Sequence, residues 1–447
     1  MLKIKILILC IVFLSCNSEK QTYFNGKIIK PTNKEIILLK DELIIKKIPI
    51  DDNGIFNSSI EIINDGLYNF IHLPEFQYLI INKGDSLSLR LNSLDFDESL
   101  VFSGIGSEKN NFLIDIFLDH ENEESFIRSN YNIPGIEFYE IIDSILNYKT
   151  LKFKKFTSNV KLNKTSSLII ENAIKLPLLS HIERYLFKNK AQYDLNFNLF
   201  NNYRKNINFN NESLSHFKPF LDYIVLRSIN ESFNVEEGYD YSLKFNLNRL
   251  NFITSNIDNT VIKNKLFRFI AYEYLLEEKL LTNIDIFIYE LEKSQLNKET
   301  RDEIKELYKN IVNLQINKEI PELNLIQRDR SVKNIREIKN SKNVFLFWSY
   351  DQNSHQLNLF NKVNKLSKKH LDFNFYLINI NEDFNQWILN ISKENSGSNV
   401  INMKSENFKN MSKKMVLTNL NKVITTNNNK ITGIINITDL EEFLKIN

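Results

Sequence analysis

Residues 343–355 read Asn343-Val-Phe-Leu-Phe-Trp348-Ser-Tyr350-Asp351-Gln352-Asn-Ser-His355, and this stretch decides the fold. From Val344 to Trp348 the run is continuously apolar, and it breaks at once into polar residues. Five apolar residues bounded by turn chemistry predict a buried strand. Leu357, Phe360, Val363 and Leu366 follow at helical spacing, so a helix packed on the sheet is expected next. In such a unit the strand's carboxyl end and the helix's amino end meet in one surface loop. Open backbone N–H groups there can hold an anion or lower the pKa of a thiol.

Residues 373–381, Phe-Asn-Phe-Tyr-Leu-Ile-Asn-Ile-Asn, predict a second buried strand, reached from the first by a right-handed parallel crossover. Segments 415–417, 422–426 and 430–435 predict the antiparallel end of the sheet. Residues 439–446 predict a last helix with Thr438 as its N-cap.

The corner at 347–355 resembles that of the TlpA/ResA-like thioredoxin family, which carries Phe-Trp-Ala-x-Trp-Cys-x-x-Cys at this place. Ile320-Pro321-Glu-Leu-Asn-Leu resembles the family's Pro-x-Phe-x-Leu entry, and the segment up to Lys342 then supplies an N-terminal hairpin. Glu382, Asp383 and Trp387 match the acidic residues and tryptophan that follow the family's second strand. The resemblance covers residues 318–447 and implies a thioredoxin-like α/β domain.

Laid on that pattern, the two cysteines fall on Gln352 and His355, and the family's cis-proline falls on Leu420 or its neighbour Asn421. Gln352 cannot ionise and His355 cannot form a disulfide. A non-proline cis bond costs about 3 kcal/mol, so a trans bond is expected near Leu420. Trp348, Tyr350, Asp351, Gln352, His355 and Leu420 then form a degenerate active-site loop, with binding as its remaining use and no catalytic residue. Asp351 and His355 stand at i, i+4. On one helical face they would make an acid–base couple or half a metal site. The plainer reading is a capping carboxylate beside a solvated imidazole. No third ligand accompanies them, so no metal or cofactor is expected.

The 447 residues exceed one ordinary domain, and two or three are expected. A formal net charge of +2, with no basic aromatic patch, gives no ground for a nucleic-acid partner. The two cysteines are Cys10 and Cys16. A basic start, an apolar run over residues 6–14, Ser15 and a polar stretch after Cys16 resemble a bacterial lipoprotein signal peptide with Cys16 as the lipidated residue. An ordinary cleaved signal or an uncleaved anchor is the alternative. With Cys16 acylated and the preceding residues removed, no free thiol remains for exchange.

Residues 23–105 read as short strands separated by turns such as Asp52-Asn53-Gly54 and Asn64-Asp65-Gly66. Asn82-Lys-Gly-Asp-Ser-Leu and Val101-Phe-Ser-Gly-Ile-Gly resemble the β-rich domain of unknown function that precedes TlpA-like domains in exported lipoproteins. From 107 to 314 glycine is reduced to Gly135 and Gly238, and seven to nine amphipathic helices are expected. Their aromatics, among them Phe245, Phe267, Phe269 and Tyr274, read as core packing. His120, His181 and His216 read as surface or packing histidines.

The expected fold class is multidomain α+β: an N-terminal antiparallel β-sandwich or barrel, an all-helical middle and a C-terminal thioredoxin-like α/β domain. The expected divisions are a signal peptide (1–15), a lipid-anchored tether (16–22), a β-rich domain (23–105), a helical domain (106–317) and the thioredoxin-like domain (318–447). The expected function is that of a cell-envelope lipoprotein, on the periplasmic face or the outer-membrane surface, that binds or scaffolds. Its partners are the membrane, through the anchor, and a protein or peptide. The alternative is a role in envelope thiol–disulfide metabolism that borrows a partner's cysteines.

Overall fold

The computed structural model describes residues 21–62, 64–190, 193–205, 207–233, 242–338, 342–391 and 397–446. The signal segment and Cys16 lie outside the described residues. The chain forms two compact units, Met1–Ile270 and Ala271–Asn447, so the helical stretch is shared between them.

In the first unit, β1 (Thr22–Ile29), β2 (Glu35–Lys40), β3 (Leu43–Pro49), β4 (Ile55–Ile60), β5 (Gly66–His72), β6 (Glu75–Ile81), β7 (Ser86–Asn92) and β8 (Val101–Ile105) build two four-stranded sheets. A single turn, α1 (Phe96–Ser99), precedes β8. The strand orders are β4-β1-β7-β8 and β3-β2-β5-β6. Phe24, Leu87, Leu89 and Leu91 of the first sheet share one core with Ile36, Leu38, Phe70 and Leu79 of the second. Alternation fixes which side chains face inward, because successive residues of a strand point to opposite faces. The sandwich is not wholly antiparallel, as expected from the hairpin signals. β1 and β7 run parallel, with Phe24 opposite Leu87. The chain between them is long enough for the crossover that a parallel pair requires, and no two-residue turn signals it. At the β3–β4 turn Gly54 has φ +77, and a Cβ there would lie 2.0 Å from the Ile28 carbonyl oxygen. Only glycine fits both demands.

Helices α2 (Ser107–Ser129), α3 (Gly135–Asn159), α4 (Lys164–Lys188), α5 (Tyr193–Arg204), α6 (Lys218–Ser232) and α7 (Leu243–Asn256) complete this unit, and α8 (Thr260–Glu277) spans the division. α4 is the central helix: it packs against α2, α3, α5 and α6 and buries residues around its whole circumference. The Asn163 side chain starts it by accepting from Ser166 N–H at 2.7 Å. Of the aromatics assigned to core packing, Phe245, Phe267 and Tyr274 are buried, whereas Phe269 is exposed. His181 on α4 is a buried packing residue, and His120 on α2 keeps 12% of its side chain exposed.

The second unit holds α9 (Leu281–Glu292), α10 (Lys298–Asn313), β9 (Asn324–Ile326), β10 (Val332–Asn334), β11 (Lys342–Trp348), α11 (Asn353–Lys369), β12 (Phe373–Asn379), α12 (Phe384–Ile391), β13 (Val400–Ser405), α13 (Phe408–Lys414), β14 (Lys422–Asn427), β15 (Lys430–Asn436) and α14 (Leu440–Ile446). Their sheet has the order β10-β9-β13-β12-β11-β14-β15. β11 is central, parallel to β12 and antiparallel to β14. Its apolar run is continuous because both faces are covered. Val344, Leu346 and Trp348 pack with Leu359, Val363 and Leu440, while Phe345 and Phe347 pack with Met403, Met411 and Ile424.

Three expectations about this unit are corrected. Residues 415–417 are not a strand but a turn after α13, with Val416 at φ +47. The strand beside β12 is β13, which includes Asn402 and Lys404 and so lacks an apolar signature. Leu357 is 61% exposed, and Leu359 takes its place on the buried face of α11. Phe360, Val363 and Leu366 keep the buried face as expected, and at 100° per residue Leu357 falls about 120° away from Val363.

Candidate functional site

The corner between β11 and α11 is fastened to the end of β12. The Trp348 carbonyl accepts from Ile380 N–H at 3.0 Å. Tyr350 N–H donates to Asn381 Oδ1 at 3.1 Å, and Asn381 Nδ2 donates to Asp351 Oδ2 at 2.5 Å. Ser349 is buried, and its hydroxyl accepts from Asp351 N–H at 3.1 Å. Asn379 and Asn381 bond each other at 3.1 Å through side chain and backbone. An asparagine pair suits this role because each amide both donates and accepts.

Gln352 occupies the N-cap position of α11, exposed, and its side chain makes no capping hydrogen bond. One turn on, His355 is half-buried and faces the Leu420 backbone and the Asn421 side chain. Burial lowers its pKa, and those two neighbours oppose the shift. Neither ring nitrogen makes a hydrogen bond of standard geometry. Leu420 lies in the turn that leads into β14. The one cis peptide among the described residues is Leu73-Pro74, so the bonds around Leu420 are trans.

The structure therefore brings His355 and Leu420 together, with Gln352 exposed at the helix start one turn away, and separates the other expected site residues from them. Trp348 is fully buried and packs edge-on against Phe360, with centroids 4.9 Å apart and planes at 72°. It belongs to the core and offers no binding platform. Tyr350 is half-buried at the edge of the same core, and burial, with Asp351 and Asp383 nearby, raises its hydroxyl pKa. Asp351 and His355 do not form a couple. Asp351 stands in the turn before the helix, committed to Asn381 and the Ser349 hydroxyl, so i, i+4 spacing does not place the pair on one helical face. No group of three or more His, Cys, Asp or Glu side chains among the described residues could hold a metal ion.

Chemically, the mouth has a helix amino terminus and no sulfur. Thiol–disulfide exchange needs a thiolate to attack and a second thiol to resolve the mixed disulfide. Neither residue at the mouth can supply one.

Sequence reasoning missed the other flank of the corner. Asn381, Glu382 and Asp383 beyond β12, and Lys404 and Ser405 at the end of β13, line a groove of 1030 Å³ together with Ser349, Tyr350 and Asp351. An acidic pair directly after a buried strand, Glu382 and Asp383, was the available signal.

A central strand followed by a crossover helix, two parallel neighbours on one side and an antiparallel pair on the other define the second unit as a thioredoxin-like α/β fold. No family model and no curated protein matches the chain. Among solved structures, it is similar to the thioredoxin domain of a thiol-disulfide oxidoreductase from Bacteroides vulgatus, at 14% identity over 30% of this chain and 97% of that one, with a TM-score of 0.25. A thioredoxin-like protein from Bacteroides caccae is similar at 12% identity over 60% of this chain and 92% of that one, with a TM-score of 0.33. An exposed lipoprotein thioredoxin from Streptococcus pneumoniae is similar at 12% identity over 28% and 100%, with a TM-score of 0.24. These likenesses are slight, and the fold assignment rests on strand order and direction.

Proposed function

We propose that this chain is a cell-envelope lipoprotein whose thioredoxin-like unit binds or scaffolds without redox turnover. One observation supports the reading: His355, in the first turn of α11, faces Leu420 and Asn421, and Gln352 is the N-cap one turn before it, so neither position that the resemblance gives to a cysteine carries sulfur. The partner is a protein or peptide held noncovalently against His355 and the 418–421 turn. The anchor is the acylated Cys16, on the periplasmic face or the outer-membrane surface. Among the described residues no helix is long and apolar enough to cross a membrane.

Two measurements test this. Insulin reduction by the purified chain with dithiothreitol is expected to match the protein-free control, and any excess overturns the inactive reading. Membrane fractionation is expected to release a Cys16→Ser variant that the native chain's anchor would retain. Retention of that variant overturns the lipid anchor alone.

A further inference from the structure

β11, β12 and β13 run parallel, so their carboxyl ends, at Trp348, Asn379 and Ser405, open on the same side of the sheet. Outside the carboxyl ends of parallel strands is where ligands of open α/β sheets bind. The 1030 Å³ groove lies there, on the β12–β13 flank of the corner, whereas His355 faces the β14 flank.

Two buried polar groups form its floor. Lys404 is 5% exposed, and its ammonium donates one hydrogen bond, to the Ser405 carbonyl at 3.1 Å. An ammonium carries three donors, so two are unspent. Ser405 is 3% exposed, and its buried hydroxyl has no hydrogen-bond partner. Buried polar groups in folded proteins are satisfied in the great majority of cases, by protein, water or ligand. Glu382 and Asp383 lie close enough to act electrostatically on Lys404, yet neither forms a salt bridge with it. Asp383 is occupied in starting α12, accepting from Gln386 N–H at 3.0 Å.

The charge pattern selects the ligand. A simple anion drawn to Lys404 or to Lys409, the other basic residue of the lining, would meet four carboxylates, those of Asp351, Glu382, Asp383 and Glu406. A simple cation drawn to those carboxylates would meet the Lys404 ammonium. The group that suits the space between them must accept from the ammonium and donate to a carboxylate, and a hydroxyl does both. Phe408 at the rim is 37% exposed, which offers an apolar face beside these polar groups. A concave site with a few convergent polar groups and an apolar wall has the composition of a small-molecule site.

We propose that this groove binds a neutral polyhydroxylated ligand, a saccharide, with hydroxyls bridging Lys404 to Glu382 and Asp383 and the Phe408 ring against its C–H face. The site is independent of any partner at the His355 mouth.

The test is calorimetric titration of the full purified chain with four probes at millimolar concentration: glucose, N-acetylglucosamine, maltotriose and myo-inositol. At least one is expected to bind saturably. Affinity for it should fall about tenfold or more in both Lys404→Met and Phe408→Ala, and stay unchanged in His355→Ala. Thermal unfolding of each variant confirms that the fold persists. Phe408 is a surface residue, so its variant remains informative even if Lys404→Met does not fold. No binding of any probe overturns the proposal, as does binding that both variants leave intact. Preferential binding of acetate or inorganic phosphate, lost in Lys404→Met, overturns the ligand class.

Discussion

Asn381 Nδ2 donates to Asp351 Oδ2 at 2.5 Å, tying the turn after β11 to the end of β12. That bond commits the carboxylate to the β12 side of the corner, away from His355, which faces Leu420. It also makes Asp351 a structural residue of the corner. Asp351→Ala and Asn381→Ala are each expected to lower stability by about 1 kcal/mol, the typical net worth of a hydrogen bond in an exposed turn. Because the two side chains bond each other, the double variant should lose less than the sum. Urea unfolding of the four proteins measures both effects, and strict additivity would contradict the link.

Acid should weaken the helical unit through two buried imidazoles. Burial, with Lys149 adding to it, lowers the His120 pKa to about 3, and burial lowers that of His181 to about 4 against the pull of Glu124. The Ala173 carbonyl at 3.0 Å can only accept, so His120 Nε2 carries the proton and Nδ1 accepts from Lys149 Nζ at 3.1 Å. Since both native pKa values are depressed, the unfolded chain binds more protons once the pH drops below about 6.5. Stability is then lost as the pH falls from about 6.5 towards 4, by as much as about 3 kcal/mol per histidine. Urea midpoints measured from pH 7 to pH 4.5 should fall, and His120→Gln should fall less steeply than the native chain. Parallel profiles would contradict the assignment.

Trp348 tests whether the corner rests on packing or on polar contacts. The indole is fully buried, and its N–H has no hydrogen-bond partner among the described residues. Trp348→Phe therefore loses ring volume and no hydrogen bond, and about 1–2 kcal/mol is expected. Trp348→Ala leaves a large cavity and should cost about 3–5 kcal/mol. A cost for the phenylalanine variant equal to that for alanine would contradict this packing account.

How far the sequence carries is seen residue by residue. The apolar run from Val344 to Trp348 exposes its nature because burial on both faces leaves no alternation to mask it. For the family's cis-proline place the sequence offered Leu420 or Asn421, and His355 faces both. β13 did not, since Asn402 and Lys404 are held in a strand by pairing with β12 and β9 and not by intrinsic preference. The parallel β1–β7 pair was hidden for a similar reason, because turn signals report hairpins and say nothing of distant partners. For Asp351 the sequence offered a capping carboxylate or, less plainly, a helical face shared with His355; it is neither, because α11 starts two residues later and the carboxylate bonds Asn381. The groove floor at Lys404 and Ser405 depends on three strand ends coming together, which no local pattern encodes.

The central claim is that this unit keeps the outline of a thioredoxin-like corner and lacks its sulfurs, as it lacks the cis-proline beside them. Installing them tests it most directly: the paired variant Gln352→Cys and His355→Cys, on a background with Cys10→Ser and Cys16→Ser, is compared with that background alone in insulin reduction. The account predicts an intramolecular disulfide and turnover above the buffer control for the paired variant, and none for the background. Turnover by the cysteine-free background, or two installed thiols that fail to form a disulfide in the folded protein, would contradict it.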